Sequence, residues 1–294
     1  MIFDVSHVTR YRYGAPVAAN AGVLRLLPRT GDGQSVAHAQ VEVRPQPASL
    51  VERADAFGNR TLHMRIETPH SELVVTSTSR VRVERAAPPM PALTPPWEDV
   101  AAQAAASSLL AAQSPAMAIY PSRLVEIFEP ATRYALQSFG GRRPIYEAAS
   151  ELNARMKADF AYDAKATEVT TTPAAAFAKR RGVCQDFAHV MIAALRGIGL
   201  PALYVSGYIR TVPPPGKARL AGSDASHAWV SLWCGAGFEW LGLDPTNAIP
   251  EGDDHVVVAR GRDYADASPM EGVILSSGGH ELEVEVDVAP VLAR

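Results

Sequence analysis

Gly182-Val183-Cys184-Gln185-Asp186-Phe187-Ala188-His189 is the stretch on which the fold turns. From it onward Phe187, Met191 and Leu195 recur with Ala188 and Ala194 as one apolar stripe at helical spacing, and Arg196-Gly197 supplies an end signal. The spacing predicts a buried helix with Cys184 at its tip. A helix N-terminus offers positive potential and N–H groups without intrahelical partners, which favours a thiolate. A lone cysteine so placed also reads as a small buried hydrophobe, so the thiol needs partners before it means more.

Working outward, Thr172-Pro173 has the N-cap and first-position chemistry of a short helix, which Arg180-Arg181-Gly182 closes with cations and a glycine, delivering the chain to Cys184. Downstream, from Leu203 to Asp244, the pattern turns to strands, with a further short strand over Val256 to Ala259. Two polar groups punctuate this region: Ser226-His227-Ala228-Trp229 and Asp244-Pro245-Thr246-Asn247. Trp233-Cys234-Gly235-Ala236-Gly237-Phe238 between them reads as a hairpin turn with Gly235 heading a two-residue II′ loop. Pairing Trp233 with Phe238 sets His227 directly opposite Asp244. Trp229, Trp233, Phe238 and Trp240 then share their face, and Val230, Leu232, Leu241 and Leu243 form the core face. A one-residue slip would flip every side chain. Opposed in this way, the carboxylate accepts from one imidazole nitrogen and leaves the other for the thiol, the arrangement of a nucleophile, its base and the base's orienting group.

The N-terminal part is different in kind. Phe3, Val5, Tyr11 and Tyr13 alternate with polar neighbours, and the same period of two recurs at 41–44, 62–67 and 80–84. Short strands punctuated by Gly, Asn and Pro predict a β-sandwich-like domain over residues 1–86. The proline-rich run 87–96 breaks regular structure and opens a linker and helical region, 87–150, with helical composition over 98–112, 121–138 and 144–158. A catalytic core over 151–266 and a C-terminal strand segment, 267–294, complete the division. The expected fold class is α+β.

The 294 residues are 47% hydrophobic and 20% charged, enough for a sizeable core and more than one domain. A net charge of −3 implies no basic surface, so neither nucleic acid nor an anionic membrane is an expected partner. Two cysteines are too few for a disulfide scaffold, and Met1-Ile2-Phe3-Asp4-Val5 lacks secretory-signal character, so a cytoplasmic protein is expected. No apolar run reaches the roughly 18 residues of a membrane span. Cys184, His189, His227 and Cys234 show no zinc-ligand spacing and no nucleotide fingerprint is present, so neither metal nor cofactor is expected. His189 reads as a satisfied core histidine.

The blocks 182–189, 199–208, 226–230 and 244–247 together resemble the core of the bacterial transglutaminase-like superfamily, distant relatives of papain-like cysteine proteases. The likeness runs from about Phe160 to Asn247, and the strand region with Tyr11-Arg12-Tyr13 resembles the β-domain that precedes this core in many bacterial members. It implies a papain/transglutaminase-like core, a helix bearing Cys packed on an antiparallel sheet bearing His and Asp. Cys184 is then nucleophile, His227 general base and acid, Asp244 orienter. The Cys184 N–H and a donor from upstream, Tyr162, are the candidate oxyanion groups, and Gln185 and Trp229 are cleft candidates. Gln185 and Asp186 also suit helix capping. The implied substrate is a peptide or protein amide, and by analogy peptide-ligating enzymes are candidate partners. Hydrolysis through a Cys184 thioester is the favoured activity. Transfer to an amine and a non-catalytic binding protein on the same fold remain the alternatives.

Overall fold

The computed structural model of the chain describes residues 1–211 and 225–291. Six strands open it: β1 (Ile2–Val17), β2 (Ala19–Leu24), β3 (Gln34–Arg44), β4 (Ser49–Ala54), β5 (Arg60–Ile66) and β6 (His70–Val83). The alternation of β1 is seen directly, with Phe3, Val5, His7 and Thr9 buried and Asp4 exposed between them. Three helices follow the proline run: α1 (Trp97–Ala105), α2 (Glu129–Leu136) and α3 (Ile145–Asp159). Then come β7 (Ala161–Tyr162), α4 (Pro173–Lys179), β8 (Arg181–Gly182), α5 (Cys184–Gly197) and β9 (Ala202–Ile209). After them stand β10 (Ala225–Trp233), β11 (Trp240–Asp244), β12 (Ile249–Pro250), β13 (His255–Gly261) and α6 (Tyr264–Ala267), and β14 (Met270–Leu275) and β15 (His280–Pro290) end the chain.

The fold is α+β. One sheet has the order β15-β1-β6-β3 and a second β14-β2-β5-β4, both antiparallel, so the last two strands return to the N-terminal sheets. Leu24, Leu62, Met64 and Ile66 from one sheet meet Val43, Leu73 and Val75 from the other, giving the sandwich its core. At its far end the first sheet turns the apolar side chains Phe3, Val5, Val81, Val83, Val286 and Val288 onto Tyr208, Val256 and Val258 of the central sheet.

That central sheet has the order β12-β11-β10-β9-β13. The helix α5 packs on one face of it and against α2 and α4, buried all round from Asp186 to Arg196, with Asp186, His189 and Arg196 the polar exceptions in an otherwise apolar run. Its far end holds a buried guanidinium, Arg196, which donates to the carbonyls of Ala118, Ala202 and Arg262 and to Ser122 Oγ. The outer edge strand β13 has no further strand beside it among the described residues. Gln34 exchanges two hydrogen bonds with the Val257 backbone, Nε2 to O at 2.8 Å and N to Oε1 at 2.8 Å. Asn59 does the same for Arg260, at 2.7 and 2.8 Å. Two β-domain amides thus satisfy the backbone groups that an edge strand leaves open.

Several local expectations change. The helix expected over 98–112 ends at Ala105, before Ser107 and Ser108, whose hydroxyls compete with the helical backbone. The segment 121–138 is helical only from Glu129, because Pro130 fits a helix only in its first turn and so sets the start. Thr172 caps α4 by accepting from Ala175 N as expected, but Arg180, not Gly182, takes the left-handed position at its end, with φ 53°. The hairpin register differs too. Val230 pairs with Leu243 and Trp233 with Trp240, so the register is offset by two residues from the expected pairing, and His227 is not directly opposite Asp244. The loop is longer than a II′ turn: Cys234 N donates to Glu239 O, with Gly235, Gly237 and Glu239 at positive φ. A two-residue offset preserves the faces, so Val230, Leu232 and Leu243 still look to the α5 core. The strand expectation over 212–224 lies outside the described residues.

Candidate active site

The tip of α5 is built by its own third residue. Asp186, buried, accepts from Val183 N at 2.8 Å and from Thr167 Oγ1 at 2.6 Å, so the chain entering the helix is tied to the helix itself. Gly182 makes room for this, since a Cβ there would lie 2.4 Å from Asp186 Oδ2. Cys184 follows, half-buried, at the first helical position. Gln185 turns outward, its amide donating to Val169 O at 3.2 Å.

His227 comes from β10, where it is paired with Gly207 of β9. Its Nε2 donates to Asp244 Oδ2 at 2.8 Å, and the Asp244 side chain, at the end of β11, crosses diagonally to reach it. Because Nε2 is engaged, Nδ1 is the nitrogen left for the Cys184 thiol, whose sulfur is near enough to act on the ring. Burial disfavours the charged imidazole, but the Asp244 hydrogen bond and charge, with the nearby Cys184 sulfur, outweigh it and push His227 up to about 9.

Asp244 is wholly buried and still ionised. Desolvation alone would raise it, but the donors converging on it hold it well below the usual carboxylate range. Oδ1 accepts from Thr246 N at 2.9 Å and Asn247 N at 3.2 Å, and Oδ2 from Asn247 Nδ2 at 2.6 Å and His227. A further donor is His255 of β13, whose Nε2 lies 3.4 Å from Oδ2. Sequence reasoning passed over His255, which stands 11 residues beyond Asp244 and arrives through the pairing of β13 with β9. His227, Asp244 and His255 bring atoms within 4.8 Å of one another, a grouping of the size that holds a metal ion. Their wiring is that of hydrogen bonds, because an ionised carboxylate only accepts and both imidazoles therefore present N–H to it.

Three tyrosines are near enough to Cys184 for its charge to act on their hydroxyls. Tyr162 stands on β7 beside Gly182 of β8, 57% exposed, and burial with the nearby Cys184 charge raises its hydroxyl. Tyr204 and Tyr264 are raised first by burial, and the Cys184 charge adds to both. Neither was expected at the site. Trp229, expected as a cleft residue, lies deeper than a cleft residue can: it is wholly buried, with its ring centroid 6.0 Å from His227 and 5.0 Å from His255. His189 faces away, buried, its Nε2 accepting from Tyr264 N at 3.1 Å, and burial lowers it to about 4. Cys234 is buried and its thiol is pushed up by desolvation.

Residues 3–82 match the bacterial transglutaminase-like N-terminal region, and residues 132–245 match the transglutaminase-like superfamily. An uncharacterized protein of Mycobacterium tuberculosis is 39% identical over 98% of this chain and 92% of its own length. A protein-glutamine gamma-glutamyltransferase of Pseudomonas aeruginosa is 36% identical over 74 residues, 25% of this chain and 11% of that protein. The crystal structure of a candidate cysteine protease from Cytophaga hutchinsonii superposes with a TM-score of 0.74 at 20% identity, covering 100% of this chain and 92% of that one.

Proposed function

The chain belongs to the transglutaminase-like superfamily, with the bacterial N-terminal region joined to its core, and on that footing we propose that it is a cysteine-dependent amide or peptide hydrolase. The observation that carries this is the hydrogen bond from His227 Nε2 to the buried Asp244, which leaves Nδ1 for a thiol at the tip of α5. In the first step the Cys184 sulfur attacks the amide carbonyl, the C–N bond breaks, and the leaving amine takes its proton from His227. Water then attacks the thioester and gives a proton to His227, the C–S bond breaks, the acid leaves and Cys184 is returned as the thiolate. The N–H groups of the first turn of α5 suit the oxyanion, and Tyr162, on the strand beside Gly182, is the candidate for a second donor. Substrates in this scheme are peptides or proteins presenting an amide. No helix among the described residues is long and apolar enough to cross a membrane.

Water is the favoured acceptor because Cys184 is only half-buried among the described residues and Tyr162 beside it is open to solvent. A second scheme, resolution by an amine, is supported by the 74-residue likeness to a protein-glutamine gamma-glutamyltransferase. Incubation with a peptide library and a labelled amine separates the two. Cleavage products are expected; amine incorporation in preference to cleavage would overturn the hydrolytic scheme. Iodoacetamide near pH 6 tests the nucleophile: selective alkylation of Cys184 over Cys234, abolished by His227→Ala, is expected, and equal slow modification of both sulfurs would count against it.

A further inference from the structure

His255 is the buried histidine that the scheme above leaves unused, and its bonds specify what it does. Its Nδ1 accepts from Gly252 N at 3.2 Å, which fixes the ring as the neutral tautomer with its proton on Nε2. That proton points at Asp244 Oδ2, the same oxygen that receives His227. The ring is 1% exposed and stands edge-on to Trp229, so it has no freedom to turn elsewhere. The turn that carries it is gripped from the other domain. Arg85, just beyond β6, donates Nη2 to His255 O at 3.0 Å and Nε to Gly252 O at 3.2 Å, its backbone N donates to Asp253 Oδ1 at 3.0 Å, and its guanidinium pairs with Glu251 at 2.8 Å. This ion pair is itself sheltered, with side chains 10% and 6% exposed.

We propose that His255 is a positioning residue for the Asp244 carboxylate and that Arg85 holds it in place, so that the β-domain completes the active site of the core. The proposal rests on the assignment of Cys184, His227 and Asp244 as nucleophile, base and orienter. Thr246 N and Asn247 N anchor Oδ1, and the direction of Oδ2 is left to the donors that meet on it. A second imidazole on Oδ2, with Asn247 beside it, fixes that oxygen toward His227, and His227 in turn keeps Nδ1 toward the sulfur. The charged and titratable groups facing His255 are Asp244 of β11 and His227 of β10, with Arg85 on its carbonyl.

Iodoacetamide alkylation of Cys184 in the full chain, followed by peptide mass spectrometry at pH 6 and pH 9, reads this without knowledge of the substrate. In the parent protein Cys184 reacts faster than Cys234 at pH 6 and this depends on His227; if it does not, the nucleophile assignment falls and the proposal with it. Given that result, His255→Leu lowers the pH 6 to pH 9 rate ratio by about tenfold, the loss of one hydrogen bond to a charged group. His255→Gln, whose amide can donate from nearly the same place, keeps the ratio within about twofold. Arg85→Met lowers it too, and adds nothing further in the His255→Leu background, because both act through one contact. An unchanged ratio in a folded His255→Leu protein overturns the proposal while leaving the nucleophile assignment intact. Should the leucine variant not fold, His255→Asn, too short to reach Oδ2, is compared with His255→Gln, and equal ratios overturn it.

Discussion

At the scale of single residues, the molecule buries histidines in opposite protonation states. His227 is raised to about 9, so its contribution to stability is complete below the unfolded value of 6.5 and is lost as pH climbs through 9. His7 and His189 are both lowered to about 4 by burial, the first between Tyr208 OH and Thr9 Oγ1 at 2.9 Å each. They are held neutral, so their contribution is complete above 6.5 and erodes as pH falls toward 4. Melting temperature is therefore expected to peak near pH 6.5, with His7→Gln flattening the acid side and His227→Gln the alkaline side. Melting scans across pH 4 to 10 check this, and identical profiles for all three proteins would contradict it. Hydrolysis should also fail as pH rises through about 9, when His227 no longer carries the proton for the leaving amine.

At the scale of elements, α5 depends on a contact only glycine permits. Gly182→Ala sets a Cβ 2.4 Å from Asp186 Oδ2, so the carboxylate must leave Val183 N and the helix tip loses its cap. A loss of about 1 kcal/mol in stability is expected from the cap alone. Activity should drop further than in Asp186→Asn, which keeps the shape; denaturant unfolding with assay of both variants measures it, and a wild-type-like Gly182→Ala rules the cap out. Much of this element was legible in the sequence, because α5 announces itself by an apolar stripe that starts at Cys184. The hairpin was legible only in its faces. Its offset by two arises from a loop in which Glu239 adopts φ 54°, a conformation that glutamate does not advertise. Arg180 at φ 53° hid the end of α4 for the same reason. His255 could not be read from its neighbours in the chain, because its role depends on the register of β13 with β9 and on Arg85, 170 residues away.

At the scale of the whole molecule, the sandwich and the central sheet share more than an apolar seam. Tyr208, Val256 and Val258 pack on the sandwich, Arg85 grips the turn before β13, and Gln34 and Asn59 bond along β13 itself. The last of these sets how the protein can be cut. A core of residues 87–266 made alone would carry β13 as a bare margin, with the Val257 and Arg260 backbone groups open to any extended chain. Such a fragment should elute as a mixture of assemblies by size-exclusion chromatography with light scattering, and a clean monomer would show that the amides are dispensable. On this view the N-terminal region acts as a chaperone that never leaves: it occupies an edge along which copies of the central sheet would otherwise recruit each other.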